Sequence, residues 1–244
     1  MQLLGSLLFT AFLFVWTFFY AAFFVLVAGL ISFPRRFVFV RIWARTLLTV
    51  LRWTCGLEYR EEGLERQPPG NHVALWKHSS SWETIAMNVV FPRQVWVLKR
   101  ELQWLPVLGW ALSLLHAIAI DRSAGRAAVA QVIEQGKARL AEGDWVTIYP
   151  EGTRTPPNER RKFGVSGALL AAETGHLIVP VAHSAGYFWP RRGLLKRRGM
   201  IRVVIGPPIT AAGRDARDIN DEAQRWIEAQ MAEFAPEAPP LSGH

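Results

Sequence analysis

Four short segments of the 244-residue chain carry the side chains best suited to chemistry. In the first, His78 stands five positions before Glu83. On a helix that separation is about 140°, so the two do not face each other within one helix. If residues 79–81, all serine, cap a helix that begins near Ser81, His78 precedes the helix and Glu83 falls in its first turn. The chain then folds the imidazole back on to the carboxylate. A carboxylate bonded to one ring nitrogen fixes the tautomer and leaves the other nitrogen as a base. The helix N-terminus acts against Glu83 and helps keep the ring neutral. Taken alone, the spacing is a weak signal, since a lone histidine near a helix start is more often a cap or a satisfied core group.

The second segment is Pro150-Glu151-Gly152-Thr153-Arg154. Proline ends a strand, glycine permits a tight turn, and the planar fork of Arg154 suits a phosphate monoester. An ordinary turn with a solvated arginine is the plainer reading. The third is Lys99-Arg100-Glu101-Leu102, with Pro106, Gly109 and then Asp121-Arg122, which adds cations after a strand. The fourth is Val179-Pro180-Val181-Ala182-His183-Ser184, where proline inside an apolar run predicts an edge strand or a bulge. His183 is expected to be structural. No Gly-x-Ser-x-Gly elbow and no His-Glu-x-x-His pattern is present, and Cys55 is the only cysteine, so a serine hydrolase, a metal site and an intrachain disulfide find no support.

The elements that position these residues follow from the periodicity. Strands are predicted at 72–76, 94–98, 117–120, 145–149, 177–181 and 201–205, and helices at 81–90, 105–115, 125–141, 164–174 and 220–234. This alternation predicts an α/β fold with a mostly parallel sheet flanked by helices. In such sheets ligands bind beyond the carboxyl ends of the strands. The ionisable groups of all four segments, His183 in the fourth, follow a predicted strand, so they gather on one edge.

The N-terminus differs. Residues 3–31 are apolar, no charged side chain occurs from Met1 to Pro34, and the run exceeds the roughly 20 residues a bilayer core requires. No cation precedes it, so it reads as an anchor rather than a cleaved leader. Over residues 37–53, Arg41, Arg45 and Arg52 fall within one wedge of a helix, with Trp43 among the apolar residues around it, as in an amphipathic helix at a membrane interface. Either the first helix spans, or both helices enter one leaflet as a hairpin. Residues 1–56 are thus expected to form a helical anchor, 57–235 the α/β domain and 236–244 a flexible tail. The net charge is +8 with a pI near 10.2, which favours anionic partners. The charge-free N-terminus and 11 tryptophans point to lipid rather than nucleic acid. A second basic–aromatic stretch, residues 187–200, suits either an anionic lipid surface or the phosphates of a soluble carrier.

In order, His78-x4-Glu83, the Lys99…Arg122 stretch, Tyr149-Pro150-Glu151-Gly152-Thr153-Arg154 and Val179-Pro180-Val181 resemble the four motifs of the glycerophospholipid acyltransferase family, most of all its bacterial 1-acylglycerol-3-phosphate members. The resemblance covers residues 70–210. It implies that His78, oriented by Glu83, deprotonates the acceptor hydroxyl. It implies that Glu151, Gly152, Thr153, Arg154, Lys99 and Arg100 serve the acceptor's phosphate, and that Val179 and Pro180 lie on the acyl-donor side. Two positions depart from the pattern: Glu83 stands where aspartate is usual, and His116 where glycine is common. The implied reaction moves an acyl chain from acyl-CoA or an acyl carrier protein, as cosubstrate with no cofactor or metal, to the sn-2 hydroxyl of lysophosphatidic acid, giving phosphatidic acid. The implied location is the inner membrane, with the catalytic domain facing the cytoplasm. Glycerol-3-phosphate or a lyso-aminolipid as acceptor, and a non-catalytic lipid-phosphate binder, are the alternatives.

Overall fold

Runs rich in valine, isoleucine and tryptophan become strands because branched and aromatic side chains pack well on a pleated surface. The computed structural model, which describes residues 1–235 and 239, contains β1 (Leu57–Glu62), β2 (Val73–Trp76), β3 (Gln94–Lys99), β4 (Ile118–Ile120), β5 (Trp145–Ile148), β6 (Ile178–His183) and β7 (Gly199–Ile205). They form one sheet in the order β1-β7-β6-β2-β5-β3-β4. Strands β2 to β6 are parallel to their neighbours within that group, β7 is antiparallel to β6, and β1 is parallel to β7. The mostly parallel α/β architecture is therefore as expected. The expected flexible tail at 236–244 lies outside the described residues, apart from position 239.

Two expectations fail, each for a physical reason. The polar stretch after Gly56, where the periodicity predicts no strand, is strand β1, whose sequence LEYREE carries no apolar run. It is an edge strand, where charged side chains are tolerated and discourage further pairing. Its Glu62 binds Arg202 of β7 (2.8 Å). Pro180 lies neither at an edge nor in a bulge: β6 sits between β2 and β7. Its carbonyl accepts the Gly206 N–H (2.8 Å), so its nitrogen faces the same side, just past the β6–β7 pairing, which runs from Val181–Ile205 to His183–Val203.

The helices are α1 (Gln2–Val27), α2 (Phe33–Cys55), α3 (Glu83–Val90), α4 (Leu108–Leu114), α5 (Arg126–Ala141), α6 (Ser166–Thr174), α7 (Ala185–Phe188) and α8 (Ala216–Phe234). Ala74 and Trp76 of β2 face a core shared with α2 and α3, while Val73 and Leu75 face one shared with α5, α6 and the start of α8. Helix α1 alone is long and apolar enough, among the described residues, to cross a membrane. It packs on α2 and α4. At its start, Gln2 Nε2 donates to the Cys55 carbonyl (2.9 Å), Ser6 Oγ accepts the Lys196 N–H (2.9 Å), and Phe9 meets Trp189 edge-on at 5.5 Å. Phe24 and, just beyond the helix end, Ala28 bury against Ala111. Helix α1 thus lies along the catalytic domain from end to end and leaves Leu4, Leu8, Phe14, Phe19 and Leu26 exposed.

Candidate active site

Strand β2 delivers the candidate base. The Lys77 N–H closes the ladder on the Val181 carbonyl (2.9 Å), and the chain leaves the sheet at His78. Helix α3 begins at Glu83, later than expected, and its cap position is Trp82 without a side-chain cap. Glu83 takes the serines' capping role. Its Oε1 accepts the N–H groups of Ser79 (3.0 Å) and Ser80 (2.9 Å) and Nδ1–H of His78 (2.8 Å). The carboxylate folds the preceding loop over itself, which is how His78 and Glu83 meet across a five-residue separation. Burial alone raises the Glu83 carboxyl, but the imidazoles of His183 and His78 and the Ser80 N–H reverse this and hold it below its ordinary value. With Nδ1 committed, Nε2 is the nitrogen left to accept a proton. The ring stacks on Tyr149 (4.1 Å between centroids, 19° between planes), which fixes its tilt.

The Pro150–Arg154 turn supports this loop. Gly152 has φ +69°, a conformation glycine adopts without strain, and its N–H returns to the Tyr149 carbonyl (3.0 Å). Beyond it the Thr155 N–H donates to the His78 carbonyl (2.7 Å). Glu151 does not point at the substrate space. Its carboxylate is buried, bonded to Lys77 Nζ and accepting the His78 N–H (3.0 Å). Burial pushes this carboxyl up to about 6, against the pull of Lys77.

A cavity of about 460 Å³ opens beside His78. Its volume lies in the ordinary range for small-molecule sites. One part is apolar: Ala21 and Phe24 of α1, Phe39 and Trp43 of α2, Trp96 and Leu98 of β3, Ala111 and Leu112 of α4. The other carries cations: Lys99, Arg122, Arg154 and Arg191, with Thr153 among them. The Nε of Arg154 is buried with no hydrogen-bond partner among the described residues. Arg122 and Arg191 are held by backbone carbonyls, Gly152 (2.6 Å) and Arg154 (3.0 Å) respectively.

The structure thus gathers His78, Glu83, Lys99, Thr153 and Arg154 at one place. It does not bring Arg100 there; that side chain turns to Asp121 (2.9 Å). Val179 and Pro180 lie buried within the sheet, outside the cavity lining. Of the interfacial set, Arg45 and Arg52 are exposed and Arg52 pairs with Glu58 (3.1 Å). Arg41 turns partly inward toward the Phe91 carbonyl (3.4 Å), and Trp43 lines the cavity and donates to Thr17 (3.1 Å). Arg122 and Arg191 were not singled out as site residues. Arg122 had a legible signal, since it follows a strand on the same sheet edge. Arg191 had only its place in a basic stretch.

A family profile described as Acyltransferase matches residues 58–184, more than half of the chain. A 1-acyl-sn-glycerol-3-phosphate acyltransferase of Pseudomonas aeruginosa is 42% identical over 214 residues, covering 86% of this chain and 83% of that protein. The chain belongs to the acyltransferase family. A 1-acyl-sn-glycerol-3-phosphate acyltransferase alpha from Homo sapiens is 28% identical over 193 residues, covering 78% of this chain and 68% of its own length. The crystal structure of the 1-acyl-sn-glycerophosphate (LPA) acyltransferase PlsC from Thermotoga maritima superposes with a TM-score of 0.79 at 19% identity, covering 99% of this acyltransferase and 98% of that chain. At that identity the likeness speaks for the fold, the helical N-terminus included.

Proposed function

We propose that this acyltransferase transfers an acyl chain from acyl-CoA or an acyl carrier protein to the sn-2 hydroxyl of 1-acylglycerol-3-phosphate, giving phosphatidic acid for phospholipid synthesis. One observation carries the reading. A His78–Glu83 pair stands where one cavity changes from an apolar channel to a cluster of four cations. An acceptor with a fatty chain at one end and a phosphate monoester at the other matches both halves.

The steps follow from the geometry. Lys99, Arg122, Arg154 and Arg191 neutralise the acceptor phosphate, and Thr153 adds a hydroxyl. Nε2 of His78 takes the proton from the acceptor hydroxyl. The oxygen attacks the thioester carbonyl, a C–O bond forms, and the C–S bond breaks as the tetrahedral intermediate collapses. The leaving thiolate recovers the proton from the imidazolium, which Glu83 stabilises meanwhile. No acyl-enzyme is required. Glu151 serves by holding Lys77 and the His78 backbone rather than by touching phosphate.

The same reading places α1 and α2 in one leaflet as a hairpin. The start of α1 is bonded to Lys196 and its far end packs on Ala111 of α4, and both helices leave apolar side chains exposed, among them Phe14 and Phe19 on α1 and Ile42 and Trp53 on α2. Arg45 and Arg52 then reach lipid phosphates. We assign the cytoplasmic face of the inner membrane, where thioester donors are soluble and anionic headgroups meet the chain's +8 charge.

The decisive experiment supplies vesicles bearing the protein with labelled acyl-CoA and a panel of lysophosphatidic acid, glycerol-3-phosphate and lyso-ornithine lipid. Transfer to lysophosphatidic acid is expected, and transfer is expected to fall when its phosphate is removed. Transfer to none of the three overturns the reading.

A further inference from the structure

Below His78 lies a second histidine that the reaction described above does not use. His183, the last residue of β6, is fully buried. Its ring stands near Trp76 and Trp82, with centroids 6.2 and 6.0 Å away. Its Nδ1 accepts the Ala185 N–H (3.3 Å), so the ring's proton is on Nε2. That single N–H faces two acceptors. It donates to the Lys77 carbonyl (2.8 Å), one residue from His78, and it lies 3.8 Å from Oε2 of Glu83.

Glu83 is the other half of the observation. Oε1 takes three donors, whereas Oε2 is buried with no hydrogen-bond partner among the described residues. A buried carboxylate oxygen without a donor is costly to maintain, so the nearby N–H has something to stabilise. We propose that His183 is a positioning residue for His78: its Nε2–H, bonded to the Lys77 carbonyl and 3.8 Å from Glu83 Oε2, fixes the backbone flank of the base and turns its positive end toward the carboxylate that orients it. The inference rests on His78 being the base.

Burial pushes His183 below its ordinary value, so near neutral pH it is an uncharged donor rather than a second cation. The ionisable groups that face its ring are Glu83 from α3, and Lys77 and His78 from the end of β2. Beyond them Glu151 holds Lys77 and Tyr149 stacks on His78, while Arg202 on β7 turns its guanidinium to Glu62. Removing the His183 N–H leaves more of the Glu83 charge to act on His78, beside the Ser79 and Ser80 N–H groups. The protonated imidazole is then favoured over a wider range, so the acid limb of kcat/KM moves to higher pH.

Two variants of matched length separate donation from bulk. His183→Gln places an amide N–H near the Nε2 position, and His183→Met fills similar space without a donor. Acyl transfer to lysophosphatidic acid is measured in vesicles with wild type as reference. The expected result is near-native turnover and pH profile for Gln. For Met, kcat falls about tenfold or more, KM for the acceptor changes little, and the acid limb moves upward. A Met variant with native kcat and an unmoved limb overturns the inference. So do equal losses in Gln and Met with unmoved limbs, which assign His183 to packing. If the Met variant does not fold, His183→Asn replaces it, an amide withdrawn by one methylene, and a native profile there overturns the inference equally. An inactive wild type would instead remove the acyltransferase reading, leaving the two failures distinct.

Discussion

A histidine works as a general base when one ring nitrogen is held and the other is free, and Glu83 meets the first condition with a 2.8 Å bond to Nδ1. Replacing His78 with alanine is expected to lower kcat by about 10²–10⁴, the usual worth of a positioned base, with vesicle binding unchanged. Near-native turnover in that variant would take His78 out of the mechanism. Glu151 gives a second prediction at this scale, on pH. Its folded value of about 6 lies above its ordinary 4.5, so the folded state holds this proton more tightly. Its contribution to stability is full below about pH 4.5 and is lost as pH rises through 6, a change of about 2 kcal/mol. Catalysis needs the opposite form, because the ionised carboxylate holds Lys77 and the His78 N–H. The acid limb of kcat/KM therefore includes the Glu151 protonation in the wild type and lacks it in Glu151→Gln, whose overall activity is lower with Lys77 left unpaired. Profiles between pH 5 and 8, with urea midpoints at the same pH values, check both parts. A stability difference between the two proteins that does not vary with pH would refute this account of Glu151.

At the scale of elements, α1 is clamped by close approach. A Cβ on Gly5 would stand 2.0 Å from the Thr54 carbonyl oxygen of α2. Gly5→Leu is expected to lift the start of α1, breaking the Gln2–Cys55 and Ser6–Lys196 contacts and costing about 1–3 kcal/mol. Thermal melting with activity in the same vesicles measures this, and an unchanged melting point would mean that α1 does not pack there. Such a contact is invisible in the sequence, where Gly5 is one small residue in an apolar run. What was legible had strong local signals: a long unbroken apolar run for α1, and short apolar runs for β2, β5 and β6. What was not legible depended on partners distant in sequence. Strand β1 has a polar composition and is a strand because β7 offers it an edge. Helix α3 starts at Glu83 because that carboxylate satisfies the N–H groups before it. The His78–Glu83 pair was legible from its place among the four ordered motifs rather than from its spacing, whereas nothing in the sequence separates Lys99, which lines the cavity, from Arg100, which turns to Asp121.

For the whole molecule, the cavity belongs to neither part alone. Its apolar wall is assembled from the hairpin, through Ala21, Phe24, Phe39 and Trp43, and from the α/β domain, through Trp96, Leu98, Ala111 and Leu112. The N-terminal helices are therefore a wall of the site. If an acyl chain occupies this space, its permitted length is set where α1 meets α4, and the small side chains Ala21 and Ala111 mark that meeting. Ala111→Phe places a ring there. Each methylene that no longer fits forfeits about 0.8 kcal/mol, or about fourfold in kcat/KM. The variant is expected to retain native kcat/KM for short acyl chains and to lose it progressively for long ones, with the KM for the acceptor phosphate set by Lys99 and Arg154 and so little changed. A saturated acyl-CoA series of increasing length, and separately a lysophosphatidic acid series, shows which substrate's chain the channel holds. Equal losses at every length in both series would mean that the ring only destabilises the fold and that neither chain lies between α1 and α4.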